Sequence, residues 1–127
     1  MKRVPSERVW SHVGYSRAVR VGDLIEVAGT TASGPGGAII APGDMYGQAK
    51  YCIDVVSKAI EELGGSVEDV VRTRVFITDI SLWEEAGRAH GEVFGEIRPA
   101  SAFVGVNELL HPDLMIEIEA TAIVRER

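Results

Sequence analysis

Glu117 and Glu119 stand two residues apart in the stretch "MIEIEATAIV", Met115 to Val124. The stretch alternates with the two-residue period of a β-strand. Ile116, Ile118, Ala120, Ala122 and Val124 fall on one face, and Met115, Glu117, Glu119, Thr121 and Ile123 on the other. Two carboxylates therefore lie side by side on a strand that is otherwise strongly apolar. Facing water, they would form a solvated sheet surface. Facing a ligand or another subunit, they could position a water or move a proton, or simply accept hydrogen bonds from a neighbour's backbone. For Glu119 an ion pair with Arg72, Arg74 or Arg125 is the favoured role. In "VRTRVFITD" the same alternation puts Arg72, Arg74, Phe76 and Thr78 on one face, opposite Val71, Thr73, Val75 and Ile77.

Other reactive residue types carry less. His12, His90 and His111 show no ligand spacing, so no metal site is expected. Cys52 is the sole cysteine, which excludes an intrachain disulfide; its place near the apolar stripe of a helix reads as a buried, inert thiol. Gly36-Gly37 is not followed by Gly-Lys-Ser/Thr, so no phosphate loop is met. Trp10 and Trp83 read as packing residues.

The elements that must position these groups follow from periodicity and punctuation. Ala18–Val21 and Leu24–Ala28 flank Gly22-Asp23, a hairpin signal. The glycine- and proline-rich "TTASGPGGAIIAPGD" reads as a loop, with room for a short edge strand at Ala38–Ala41. Met45, Ala49, Ile53, Val56, Ile60 and Leu63 recur at helical spacing, with Asp44 as cap and Gly64-Gly65 as stop. Ser66 with Asp69 forms a capping box before a strand over Val70–Thr78. Ser81 with Glu84 is read as a third cap, opening a helix to about Phe94 with the stripe Leu82, Ala86, Ala89 and Val93. Strands over Ser101–Val106 and Leu114–Val124 complete the chain, which reads as one domain over residues 1–127.

Composition sets the class. The 127 residues are 46% hydrophobic and 25% charged, with a formal net charge of −6. That is an ordinary globular composition, and the acidic balance opposes a phosphate-tracking nucleic-acid surface. No apolar run approaches the roughly 18 residues needed to span a bilayer, and "MKRVPSERVW" has no signal-peptide core; the expected compartment is the cytoplasm. Right-handed crossovers between parallel strands place two successive helices on one face of the sheet. The other face, carrying Val, Ile, Phe and Met, is left bare, and a second copy of the chain is its simplest cover. A homo-oligomer is therefore expected, with Glu117 and Glu119 at its interface.

"LIEVAG", "VVRTRVFITDI", "RPAS" and "IEIEATAIV", in this order and spacing, resemble the RidA/YjgF family from about Tyr15 to Val124, with "RPA" and "IEIEA" the most specific pieces. The resemblance implies an α+β, chorismate-mutase-like fold: a mixed sheet with two helices on one face, assembled as a homotrimer with three clefts between subunits. It also implies hydrolysis of reactive enamines and imines such as 2-aminoacrylate, without a cofactor. On that pattern the water-positioning carboxylate is Glu117 and the N-terminal tyrosine is Tyr15. The glycine whose backbone lines the cleft is Gly29, beside Ala28. The family cysteine corresponds roughly to Phe103, and the asparagine of the second helix to Gly87. The substrate-anchoring arginine after Pro-Ala is replaced by Ser101, as in arginine-lacking branches of the family.

A guanidinium grips a carboxylate through two parallel hydrogen bonds, whereas Ser101 offers at most one neutral bond. Charge-assisted bonds contribute roughly 1.5–3 kcal/mol each. The sequence therefore points to a neutral or cationic ligand, bound or hydrolysed at C=N or C–N in clefts lined by Tyr15, Gly29, Ser101, Phe103 and Glu117. The alternative is an imine deaminase with a relocated anchor, Arg74 ahead of Arg98. An RNA-acting translation inhibitor, suggested by older family labels, is the reading the charge supports least.

Overall fold

The computed structural model describes residues 1–126. The first strand, β1 (Lys2–Pro5), pairs antiparallel with β2 (Ser16–Val21), which turns through Gly22-Asp23 into β3 (Leu24–Thr31). Gly22 holds φ +60° in that two-residue turn, where a side chain would be strained. Helix α1 (Met45–Glu62), strand β4 (Val70–Ile77), helix α2 (Trp83–Phe94) and strands β5 (Ala100–Gly105) and β6 (Ile116–Ile123) follow. The sheet order is β1-β2-β3-β6-β4-β5. β6 is antiparallel to both β3 and β4, while β5 runs parallel to β4 after the α2 crossover. This is the α+β mixed sheet that the sequence implies.

Both helices cover one face. α1 buries Met45, Ala49, Cys52, Ile53, Val56, Ala59 and Ile60 against Ile25, Val27, Ile116, Ile118, Ala120 and Ala122. Losing Ile118 to alanine from such a core costs about 2–5 kcal/mol. The expected cap is present: Asp44 accepts from the Gly47 amide at 2.9 Å. So is the Ser66–Asp69 capping box. Cys52 is fully buried, and burial pushes its thiol up to about 12. No helix of the described residues is long and apolar enough to cross a membrane.

The opposite face has no cover within the chain. Leu24, Val104 and Ile123 are exposed there between 41% and 46%, interleaved with Glu26, Arg74, Phe76, Glu117 and Glu119.

Several local readings are corrected. The edge strand expected at Ala38–Ala41 is a single bridge, Ser33 to Ile39, because glycine and proline interrupt any ladder. Ser81 does not cap α2, whose N-cap Leu82 makes no side-chain cap bond; Asp79 instead caps the short 3-10 turn Ile80–Leu82 that leads into it, its carboxylate accepting from both the Ser81 amide and the Ser81 hydroxyl. The β4–β6 register shifts between Val70 and Arg72, so Val71 is exposed rather than facing the core with Thr73. Trp83 lies about half exposed on α2 rather than in the core.

Candidate functional site

Glu117 sits mid-sheet, opposite Thr31 of β3 and Phe76 of β4. The β3–β6 register shifts between Val27 and Thr30, and this bulge brings Gly29 directly beneath the Glu117 carboxylate. A Cβ at Gly29 would lie 2.9 Å from Glu117 Cδ and 2.9 Å from its Oε2. Gly29 is there for close approach, since its φ is not in the left-handed region. The Glu117 carboxylate is half-buried and has no hydrogen bond or ion pair among the described residues. Burial and then the neighbouring Glu119 charge raise its pKa, opposed by Arg17. A carboxyl group held this way exchanges a proton closer to neutrality than a solvated one, as a group that must position and deprotonate water requires.

Arg17, which sequence reasoning passed over, joins the remaining pieces on this side. It is 6% exposed. Its Nη1 donates to Thr30 Oγ1 at 2.5 Å, both Nη atoms reach the Gly29 carbonyl at 3.5 Å, and the guanidinium stands 5.8 Å from the Tyr15 ring centroid. Tyr15 in turn accepts a hydrogen bond from Ser6 Oγ at 2.7 Å. Thr30 donates to the Ala28 carbonyl at 2.8 Å. Tyr15, Ala28, Gly29 and Glu117 thus surround one arginine. No sequence pattern marks it: Arg17 lies opposite the β1–β2 register shift at Val4/Pro5, which only the pairing reveals.

Ser101 and Phe103 lie elsewhere. Ser101 pairs with Thr73 and Phe103 with Val75, so both point to the α2 face. The Ser101 and Thr73 hydroxyls are 2.7 Å apart, and Thr73 Oγ1 is 2.8 Å from His90 Nε2. Phe103 stacks edge-on to the His90 ring at 5.5 Å. Burial lowers the His90 pKa, favouring the neutral ring. Ser101 and Glu117 are therefore on opposite faces of the sheet within one chain.

Arg74 shares the Glu117 face, one position along, but it pairs with Glu119 at 3.8 Å. Arg98 stands outside β5 with φ +56°. No group of three or more potential metal ligands occurs among the described residues. The arrangement offers a proton-exchanging carboxylate with an open face above a close-packed glycine, suited to ordering a water beside an electrophilic carbon.

Residues 6–124 match the family described as Endoribonuclease L-PSP. The chain belongs to the RidA/YjgF family. A solved RidA/YjgF relative, Rv2704 from Mycobacterium tuberculosis, described as a member of the YjgF/YER057c/UK114 family, superposes with a TM-score of 0.87 at 44% identity, covering 97% of this chain and 98% of that one. A RutC family protein of Pyrococcus abyssi is 37% identical over 85% of this chain and 84% of its own length. The 3-aminoacrylate deaminase RutC of Acinetobacter baylyi is 27% identical over 87% of this chain and 86% of its own.

Proposed function

We propose that this RidA/YjgF chain works as a homotrimer with small-molecule clefts at its subunit boundaries, where it binds or hydrolyses a neutral or cationic metabolite. Tyr15, Ala28, Gly29 and Glu117 of one protomer would face Ser101 and Phe103 of the next. Two features support a shared site. Ser101 and Glu117 occupy opposite faces of one sheet, so a ligand touching both needs two copies. The uncovered face also carries exposed Leu24, Val104 and Ile123, which assembly would bury. A monomer by light scattering would overturn the shared cleft.

The observation that carries the ligand class is the contrast between the two halves. Glu117 is half-buried and uncommitted, whereas the position after Pro99-Ala100 holds Ser101, whose hydroxyl is already engaged with Thr73. In the reaction the site suits, Glu117 accepts a hydrogen bond from water as its oxygen adds to the C=N carbon. The water's proton passes through the carboxylate to nitrogen, and the carbinolamine collapses to a carbonyl product and ammonia. On this side Arg74 is already paired with Glu119 and Arg17 is engaged with Thr30 and the Gly29 carbonyl, while Glu119 beside Glu117 repels a substrate carboxylate.

A second reading keeps a carboxylate substrate and moves the anchor to Arg74. The Acinetobacter relative's deaminase activity and the position of Arg74 on the Glu117 face favour it; its existing pair with Glu119 weighs against it. The test compares 2-aminoacrylate with its uncharged amide, each generated in situ, survivors being trapped with semicarbazide. Hydrolysis of the amide that Glu117→Ala abolishes is expected. Preference for the acid, lost in Arg74→Ala, would establish the second reading instead.

A further inference from the structure

A groove of about 480 Å³ runs between β1 and α1, away from the strand that carries Glu117. Val4, Pro35, Tyr51 and Val55 give it apolar walls, and Arg8, Arg17 and Ser33 line it as well. Its polar groups share one peculiarity. The buried side-chain nitrogen and oxygen atoms that lack a partner among the described residues are Arg8 Nη2, Arg17 Nε and Ser33 Oγ, and all three belong to residues of this groove.

The two guanidiniums are not closed by salt bridges either. Arg17 is 6% and Ser33 1% exposed, and Arg8 is half-buried. Arg8 is fixed by its Nη1, which donates to the Thr31 carbonyl at 3.0 Å. Arg17 is fixed by Thr30. Neither guanidinium belongs to any ion pair found among the described residues. Burial, and secondly Arg17, hold the Arg8 pKa below its usual range. Two like charges withdrawn from water without a salt bridge are costly, and the Glu117 carboxylate acts on Arg17 through space without pairing to it. The remaining charged side chains of the groove do not supply one. Lys58 is paired with Asp54 at 3.0 Å, and Glu7 and Glu62 are exposed on the rim.

We infer that Arg8, Arg17 and Ser33 form a binding site for a small organic oxyanion in this groove, adjoining the Glu117 cleft through Arg17. Each guanidinium carries the planar fork of N–H donors that a carboxylate or phosphate accepts, and Ser33 adds a hydroxyl. The groove has the volume of a metabolite site, and its apolar walls suit a ligand with a hydrocarbon body. Glu7 and Glu62 at the rim disfavour polyanions such as nucleic acid.

The test uses the intact chain in a low-salt buffer free of oxyanions, titrated with pyruvate and with methyl phosphate, and with acetamide as the uncharged control. Calorimetry gives the affinity, and the arginine Nε–H resonances of an NMR spectrum report the location. Saturable binding of one anion per chain, with the Arg17 Nε–H resonance displaced and no response to acetamide, is expected; the tighter of the two probes identifies the headgroup class. Arg8→Gln should weaken binding by about tenfold or more, Arg8→Lys by less, and Arg3→Gln outside the groove should leave it unchanged. Arg8 is the chosen position because it is only half-buried, so the fold should tolerate the change, and circular dichroism checks that it does. Absence of saturable binding, or binding indifferent to Arg8→Gln, overturns the assignment. So does a change of oligomeric state in Arg8→Gln without anion binding, which would mean that a second copy supplies the counter-charge.

Discussion

Gly29→Ala probes the contact on which the Glu117 site depends. The added Cβ would stand 2.9 Å from Glu117 Cδ, against an optimum of about 3.5–4.0 Å for carbon pairs. The backbone at Gly29 is not left-handed, so alanine suffers no dihedral penalty. The Glu117 side chain must instead turn away, at a cost of about 0.5–1.5 kcal/mol for leaving its rotamer. Against this, alanine narrows the unfolded ensemble and contributes about 0.4–1 kcal/mol of stability. In the wild-type background the two effects nearly cancel or leave a small net loss. In Glu117→Ala the clash disappears and only the gain remains. A coupling of about 1 kcal/mol is therefore expected, with Gly29→Ala stabilising only when Glu117 is absent; that corresponds to roughly 4 °C in melting temperature. Urea unfolding of the four variants at one protomer concentration measures it. A carbon-detected NMR titration adds an independent readout, since a carboxylate turned toward water should titrate closer to its ordinary value. An equal effect of Gly29→Ala in both backgrounds would refute the contact.

Further outcomes follow from the same geometry. His90 has a folded pKa lowered by burial, so between that value and its ordinary 6.5 the unfolded chain binds the extra proton. Its contribution is complete above pH 6.5 and is lost as pH falls through the folded value; His90→Phe should reduce the stability difference between pH 7.5 and pH 5, measured by urea unfolding. Thr73→Val leaves His90 Nε2 and Ser101 Oγ without their shared partner and should cost about 1–3 kcal/mol in the same assay. Arg74→Ala breaks a partly exposed pair with Glu119 and should cost no more than about 1 kcal/mol, falling further with added salt. RNA titrated at low salt should not bind.

The elements legible in the sequence were those where pattern and punctuation agree. β6 shows pure alternation over Ile116–Ile123, and α1 carries a helical stripe between Asp44 and Gly64. β1 was missed because "KRVP" has no apolar alternation and ends in proline, features of an edge strand paired on one side only. Val71 was misplaced because a bulge advances the register by one residue without any glycine to announce it. The site was legible only in part for a related reason. Glu117 and Gly29 belong to regular strands, but their contact is created by the β3 bulge. Arg8 and Arg17 lie before Ala18–Val21, the first element read from the sequence, and only tertiary packing buries them. Spacing along "RPASAF" places Ser101 and Phe103 on one face without saying which; the pairing with Thr73 and the contacts to His90 decide it.

The central claim is that the Glu117 half of the site is intact while the carboxylate anchor is gone. A coupled assay that generates 2-aminoacrylate, with semicarbazide trapping what survives, tests it most directly when wild type is run beside Ser101→Arg and the double variant Ser101→Arg/Glu117→Ala. The expected result is a wild type no faster than buffer, hydrolysis gained in Ser101→Arg, and that gain abolished when Glu117 is also removed. Rapid hydrolysis of 2-aminoacrylate by the wild type, abolished by Glu117→Ala alone, would contradict the account and show that a carboxylate anchor exists elsewhere in the cleft.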